Sequence, residues 1–286
     1  MPRRIIPVAS GKGGVGKTTT SVNFALGLSR SAPTVLVDLD TGTSSIRGVI
    51  QVPIHKDLYH FKRQGATLAE CITRLDFKHD PRGEFKNFGF IAGPRHFMED
   101  ISNPDVAFRR ALAQEINRLP AEYVVLDLRA GLDPSVLDFL PFTTSGILVF
   151  TPHHPAATLA AADIVKAILF RSLRILFRED SPLYAQAEIA RYRGLVVDLL
   201  ARVEDVYDPA LANLDSFLAE LTEAFGRHPI VEVLADLLDS FRVHYVLNMF
   251  NGVEHSFEGA VVPMAQSLAE NVSSRIDMTQ LGWVVL

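Results

Sequence analysis

The stretch SGKGGVGKTTTS, residues 10–21, restricts this chain more than any other, because few backbones accommodate it. Gly11 to Thr18 meets the spacing G-x-x-x-x-G-K-[ST]. Its glycines let the backbone turn its N–H groups inward around phosphate oxygens, and a following helix adds the positive end of its dipole. An apolar run, RRIIPVAS (3–10), precedes the loop, and Val22, Ala25, Leu26 and Leu28 follow at helical spacing. Strand, phosphate loop and helix are therefore expected in that order. Gly11, Lys12, Gly13, Gly14, Val15, Gly16, Lys17, Thr18 and Thr19 make the candidate phosphate-binding set. Lys17 is expected to bridge the β- and γ-phosphates and the Thr18 hydroxyl to ligate Mg²⁺. Lys12 is one lysine more than such a loop needs.

Short apolar runs recur along the chain: TVLVDLD (34–40), GFIAGP (89–94), YVVLDL (123–128), GILVFTP (146–152), HYVLNMF (244–250) and LGWVVL (281–286). They read as buried parallel strands alternating with amphipathic helices, such as DVAFRRALAQEINRLP (105–120), which is expected to stop at Pro120. The fold class expected is α/β, a doubly wound, mostly parallel sheet flanked by helices. Residues 52–88 read as a surface excursion with a short helix near TLAECITRL, and 155–241 as helical. We expect one domain over 1–286 with a helical insertion at about 180–241. The stop inside an apolar strand suggests that a covering segment lies beyond residue 286.

Two of these strands end in acids. Asp127 closes YVVLDL, where a carboxylate can hold the Mg²⁺ hydration shell, and Asp38 and Asp40 close LVDLD on one side of their strand. Phosphoryl transfer to water needs a metal, an oriented water and compensation of developing charge, and these residues could supply all three. ATP and Mg²⁺ are the cofactors expected.

Composition narrows the remainder. With 28 Lys and Arg against 33 Asp and Glu, the net charge of −5 advertises no overall affinity for nucleic acid. One cysteine, Cys71, excludes an internal disulfide framework and reads as a buried thiol. No run reaches the ~20 apolar residues of a membrane span, so a cytoplasmic protein, peripheral to a membrane at most, is expected.

KGGVGKTT, VLVDLD and VVLDLRAG together resemble the three nucleotide motifs of the MinD/ParA family of deviant Walker A ATPases. Asp-Leu-x-Ala-Gly and the following VLDF (136–139) are most similar to the FlhG/FleN-like branch. The resemblance implies that Lys12 crosses an ATP-dependent homodimer interface to the partner's nucleotide. It further implies that Asp40 orients the attacking water, that Asp38 supports Mg²⁺ and that Asn248 contacts adenine. Such ATPases hydrolyse slowly, answer to an activating protein partner and position a cellular structure; flagellar placement or the division site is the expectation here. Iron–sulfur members of the superfamily need more cysteines than this chain has.

Departures keep other readings open. Arg129 stands where small or hydroxyl residues are common, and TPHHP (151–155) brings His153 and His154, a pair that could sense pH or bind metal. Lys166, Arg171, Arg174 and Arg178 alternate with Leu169, Leu173, Leu176 and Phe177, a stripe that could meet DNA or anionic lipid or simply pack its leucines inward. A DNA-partitioning ATPase and a nucleotide-binding scaffold with little turnover are the alternatives.

Overall fold

The computed structural model describes residues 3–40, 45–137, 139, 146–178, 180–185, 187–204 and 213–285. The loop 41–44 after Asp40, Asp138 of the VLDF run and part of the expected insertion, 205–212, lie outside these residues. Seven strands form one parallel sheet: β1 (Arg4–Ala9), β2 (Thr34–Leu39), β3 (Phe88–Ile91), β4 (Tyr123–Leu128), β5 (Ile147–Phe150), β6 (Arg242–Phe250) and β7 (Asp277–Val285). Their order is β3-β2-β4-β1-β5-β6-β7.

Alternation along the strands builds two cores. Val35, Val37, Val124, Leu126, Leu148 and Phe150 face one side, where the helices Val106–Ile116 and Pro155–Leu176 cover them with Phe108, Leu112, Ile164 and Leu169. Leu36, Val125, Ile147 and Val149 face the other, against Val22 and Ala25 of the helix Lys17–Ser29. With both faces covered, nearly every strand position must be apolar, which is why the runs lack a polar alternation.

The same parity decides where the acids go. Leu36 and Val125 face the Lys17–Ser29 helix, so Asp38 and Asp127, two residues later, point the same way. Their Cα atoms are direct partners across β2 and β4, and Val8 of β1 is the other neighbour of Asp127. The strand ends thus deliver two buried carboxylates beside the loop that leaves β1.

Several expectations change. Residues 52–88 are more than a surface excursion: Leu58, Leu68 and Cys71 are buried in the main core, and Thr73 bridges Phe90 of β3 in antiparallel fashion. Their helix spans Leu58–Gln64, with only a single 3₁₀ turn at Ala69–Cys71. Burial raises the Cys71 thiol to about 11, as expected of an inert core thiol. The helix starting after Asp105 ends at Ile116, four residues before Pro120. Asp105 itself caps it, accepting a bond from the Phe108 N–H. β6 begins two residues earlier than its apolar run and β7 four earlier.

Between β5 and β6 the described residues are helical, in Pro155–Leu176, Ala187–Ala190, Arg193–Glu204, Leu214–Phe225 and Pro229–Ser240. In the basic stripe, Leu169, Leu173 and Phe177 are buried, so the leucines pack inward, and Arg178 pairs with Asp180 at 2.7 Å. No helix among the described residues is long and apolar enough to cross a membrane.

Candidate functional site

The phosphate loop is held in shape by its own backbone conformation and by Asn248. Gly16 caps the Lys17–Ser29 helix with φ 80°, a left-handed conformation that other residues rarely adopt. A Cβ built there would lie 2.0 Å from Asn248 Nδ2, so strain and collision both exclude a side chain. Asn248, at the end of β6, donates from Nδ2 to the Val15 carbonyl at 2.8 Å and thereby pins the loop. Gly16→Ala is accordingly expected to lower nucleotide affinity at least about tenfold, measurable by titration calorimetry, since both φ and Asn248 would have to give.

The helix opening the site carries no acid in its first turn and no side-chain cap on Gly16. Its first N–H groups therefore remain for an anion, with the helix dipole behind them. Inside, the polar groups converge on one carboxylate. The Lys17 ammonium donates to Asp127 Oδ1 at 2.7 Å, the Thr18 hydroxyl to Oδ2 at 2.7 Å and the Ser21 hydroxyl to Oδ1 at 2.9 Å. Lys17 is 6% exposed, and Asp127 and Asp38 are fully buried.

Asp40 stands at the mouth, 3.9 Å from Lys17 Nζ, and its N–H donates to Asp38 Oδ1 at 3.1 Å. Burial pushes the Asp40 carboxyl above its ordinary range; Lys17 opposes this, Asp127 reinforces it and Arg129 also opposes it. Three carboxylates thus crowd one buried ammonium and one half-buried guanidinium. This excess of negative charge suits a divalent cation. No group of three or more His, Cys, Asp or Glu side chains suited to a metal occurs among the described residues. The donor set is two acids and a hydroxyl, which fits a small hard cation that keeps its waters and leans on substrate phosphates.

A family model described as the CobQ/CobB/MinD/ParA nucleotide binding domain matches residues 6–261. The chain belongs to this family. Among its relatives, the septum site-determining protein MinD of Escherichia coli (strain K12) is 27% identical over 195 residues, 66% of this chain and 67% of that protein. The flagellum site-determining protein YlxH of Helicobacter pylori is 29% identical over 164 residues, so the match spans 56% of this chain and only 52% of YlxH. The solved structure of MinD from Pyrococcus horikoshii, complexed with Mg-ADP, aligns with a TM-score of 0.50 at 18% identity over 92% of this chain and 79% of that one. At that identity the likeness speaks for the fold.

In this MinD/ParA-family chain, Lys17, Thr18, Asp38, Asp40 and Asp127 come together at the strand ends, and Asn248 reaches the loop from across the sheet. Lys12 does not join them. It is exposed, and its ammonium has no hydrogen-bond or ion-pair partner among the described residues. His153 and His154 lie apart from the acids. The His153 ring bonds the Met249 carbonyl through Nε2 at 3.1 Å and approaches the His255 ring at 6.0 Å. His154 is the N-cap residue of the helix Pro155–Leu176, with no side-chain cap bond.

Two participants escaped the sequence reading. Ser21 lies one helical turn beyond Lys17, so the i, i+4 rule could have placed it on the face of Asp127. The Gly131 N–H donates to the Ser10 carbonyl at 2.9 Å, joining the segment after β4 to the residue before the loop. No sequence signal announces a backbone bond between residues so far apart.

Proposed function

We propose that this chain is an ATP-hydrolysing switch that dimerises with two ATP molecules between its subunits and so regulates or positions a cellular structure. The observation that carries this reading is the contrast between its two loop lysines. Lys17 is buried on Asp127, whereas Lys12, five residues away, is exposed and its ammonium has no partner among the described residues. A free cation on a phosphate loop suits a phosphate belonging to a second subunit, where it would offset the charge that grows on the transferred group.

In each subunit Gly13 to Thr19 would surround the phosphates with backbone N–H groups. Lys17 would exchange Asp127 for the β- and γ-phosphates, and Gly11 completes the loop. Thr18, Asp38 and Asp127 would hold Mg²⁺, partly through water; the ion supplies charge neutralisation at the phosphates. Asp40 orients the attacking water. Asn248, which holds the Val15 carbonyl, would also contact the base. The family relatives MinD and YlxH, both named for determining sites, support a positioning role, in which an activating protein partner would speed a slow intrinsic hydrolysis. The chain would work in the cytoplasm, peripherally at a membrane in some states.

The test uses Asp40→Ala to arrest hydrolysis. With Mg-ATP this variant is expected to elute from size exclusion as a dimer, and with ADP as a monomer. Adding Lys12→Ala is expected to return it to the monomer. If Lys12→Ala alone still dimerises and releases phosphate at the wild-type rate, the reading fails.

A further inference from the structure

A second cavity opens at the carboxyl ends of β2 and β3, and no phosphate-loop residue lines it. It encloses 430 Å³ between Arg47, Ile54, Asp57, Tyr59, His60, Pro94, Arg95, His96 and Met98. That volume falls within the range of small-molecule sites, and the carboxyl edge of a parallel sheet is where such sites gather.

The wall is prebuilt. Asp57 is 6% exposed, and its carboxylate accepts from the Tyr59 N–H at 3.0 Å and from the Arg47 guanidinium, while its own N–H donates to His60 Nδ1 at 3.2 Å in a capping box. Arg47 also donates to the Gly93 carbonyl from Nη2 at 3.1 Å and from Nε at 3.3 Å. These bonds fasten the Ile46–Val49 helix, the cap of the Leu58–Gln64 helix and the loop after β3 into one frame. Arg47 Nη1 is left without an acceptor among the described residues, as are the exposed side chains of Arg95 and His96.

Among the described residues lining the cavity Asp57 is the one acid; Arg47 is paired with it, which leaves the Arg95 guanidinium to face the opening with His96 beside it. Nearby, Glu99 is exposed and Asp100 is taken by Arg63 at 2.8 Å. The remaining walls, Ile54, Tyr59, Pro94 and Met98, are apolar or aromatic. We propose that this cavity binds a small phosphomonoester with an apolar or aromatic body. Arg95 and His96, backed by the fixed Arg47, hold the phosphate, and the body lies against Tyr59, Pro94 and Met98. Arginine suits this because its planar fork matches phosphate oxygens.

Phenyl phosphate is the probe, titrated by calorimetry into the full chain with saturating Mg-ADP. Saturable binding is expected, weakened at least about tenfold by Arg95→Ala/His96→Ala, two exposed residues outside the fold's core, and unchanged as Mg-ADP is raised further. Phenol and inorganic phosphate are each expected to bind at least about tenfold more weakly, since each lacks one half of the ligand. The proposal is overturned if phenyl phosphate does not bind, or if its binding is displaced by Mg-ADP and ignores Arg95 and His96. It is equally overturned if phenol or inorganic phosphate binds as tightly.

Discussion

Replacing Lys17 with alanine is expected to stop ATP turnover and to lower the unfolding temperature of the nucleotide-free protein together. The pair it breaks is buried on both sides, with Lys17 Nζ 2.7 Å from a fully buried Asp127. Removing one partner strands the other charge away from water, at a cost of about 3–5 kcal/mol. For a domain of this size that corresponds to a fall on the order of 10 °C, readable by circular dichroism. Turnover, followed by phosphate release, is expected to drop by about two to three orders of magnitude, as when a preorganised charge donor is removed. The double variant Lys17→Ala/Asp127→Asn separates the two effects. With both charges gone it is expected to regain part of the lost stability and none of the activity. Equal melting temperatures for Lys17→Ala and wild type would show that Asp127 does not depend on this lysine.

Asp40→Asn is expected to split stability from activity in the opposite sense. Burial raises the Asp40 carboxyl above its ordinary range, so the folded state holds this proton more tightly than the unfolded chain does. Its contribution is therefore fully present below the unfolded carboxylate range and lost as pH rises through the raised folded value. An amide carries no such dependence. The variant should melt at a higher temperature than wild type near neutral pH, and the gap should close as pH falls. Turnover should fall by about two to four orders of magnitude, because the group that orients water is gone. In the wild type, turnover should decline on acidification at a pH above that of an ordinary carboxylate. A variant less stable than wild type at neutral pH would mean that Lys17 and Arg129 outweigh burial at Asp40.

The strands and the loop were legible because both cores demand apolar residues at nearly every position of β2, β3, β4 and β5. β7 shows the limit of that signal. It pairs with β6 alone, so its first residues, Asp277, Met278, Thr279 and Gln280, need not be apolar and form no run. Residues 52–88 hid most of their core members for a related reason: Cys71 reads as buried from its type alone, but Leu58 and Leu68 stand apart among polar and small residues, with no period to reveal them. At the site, residue types and spacing indicated Lys17, Thr18, Asp38, Asp40 and Asp127. What could not be read was the convergence of three donors on Asp127, because it depends on how the helix and β4 meet. The Arg47–Asp57 frame was equally silent, since it depends on where β2 and β3 end relative to each other.

Gly11 has a neighbour that gives the loop a mechanical role. A Cβ there would lie 2.4 Å from the Ala160 backbone, so loop and helix Pro155–Leu176 touch main chain to main chain. At about 1.5 Å per residue that helix is roughly 33 Å long, and the contact falls within its first two turns. A few degrees of tilt at that contact would carry the far end of so long a helix, among the helices before β6, by about 2 Å.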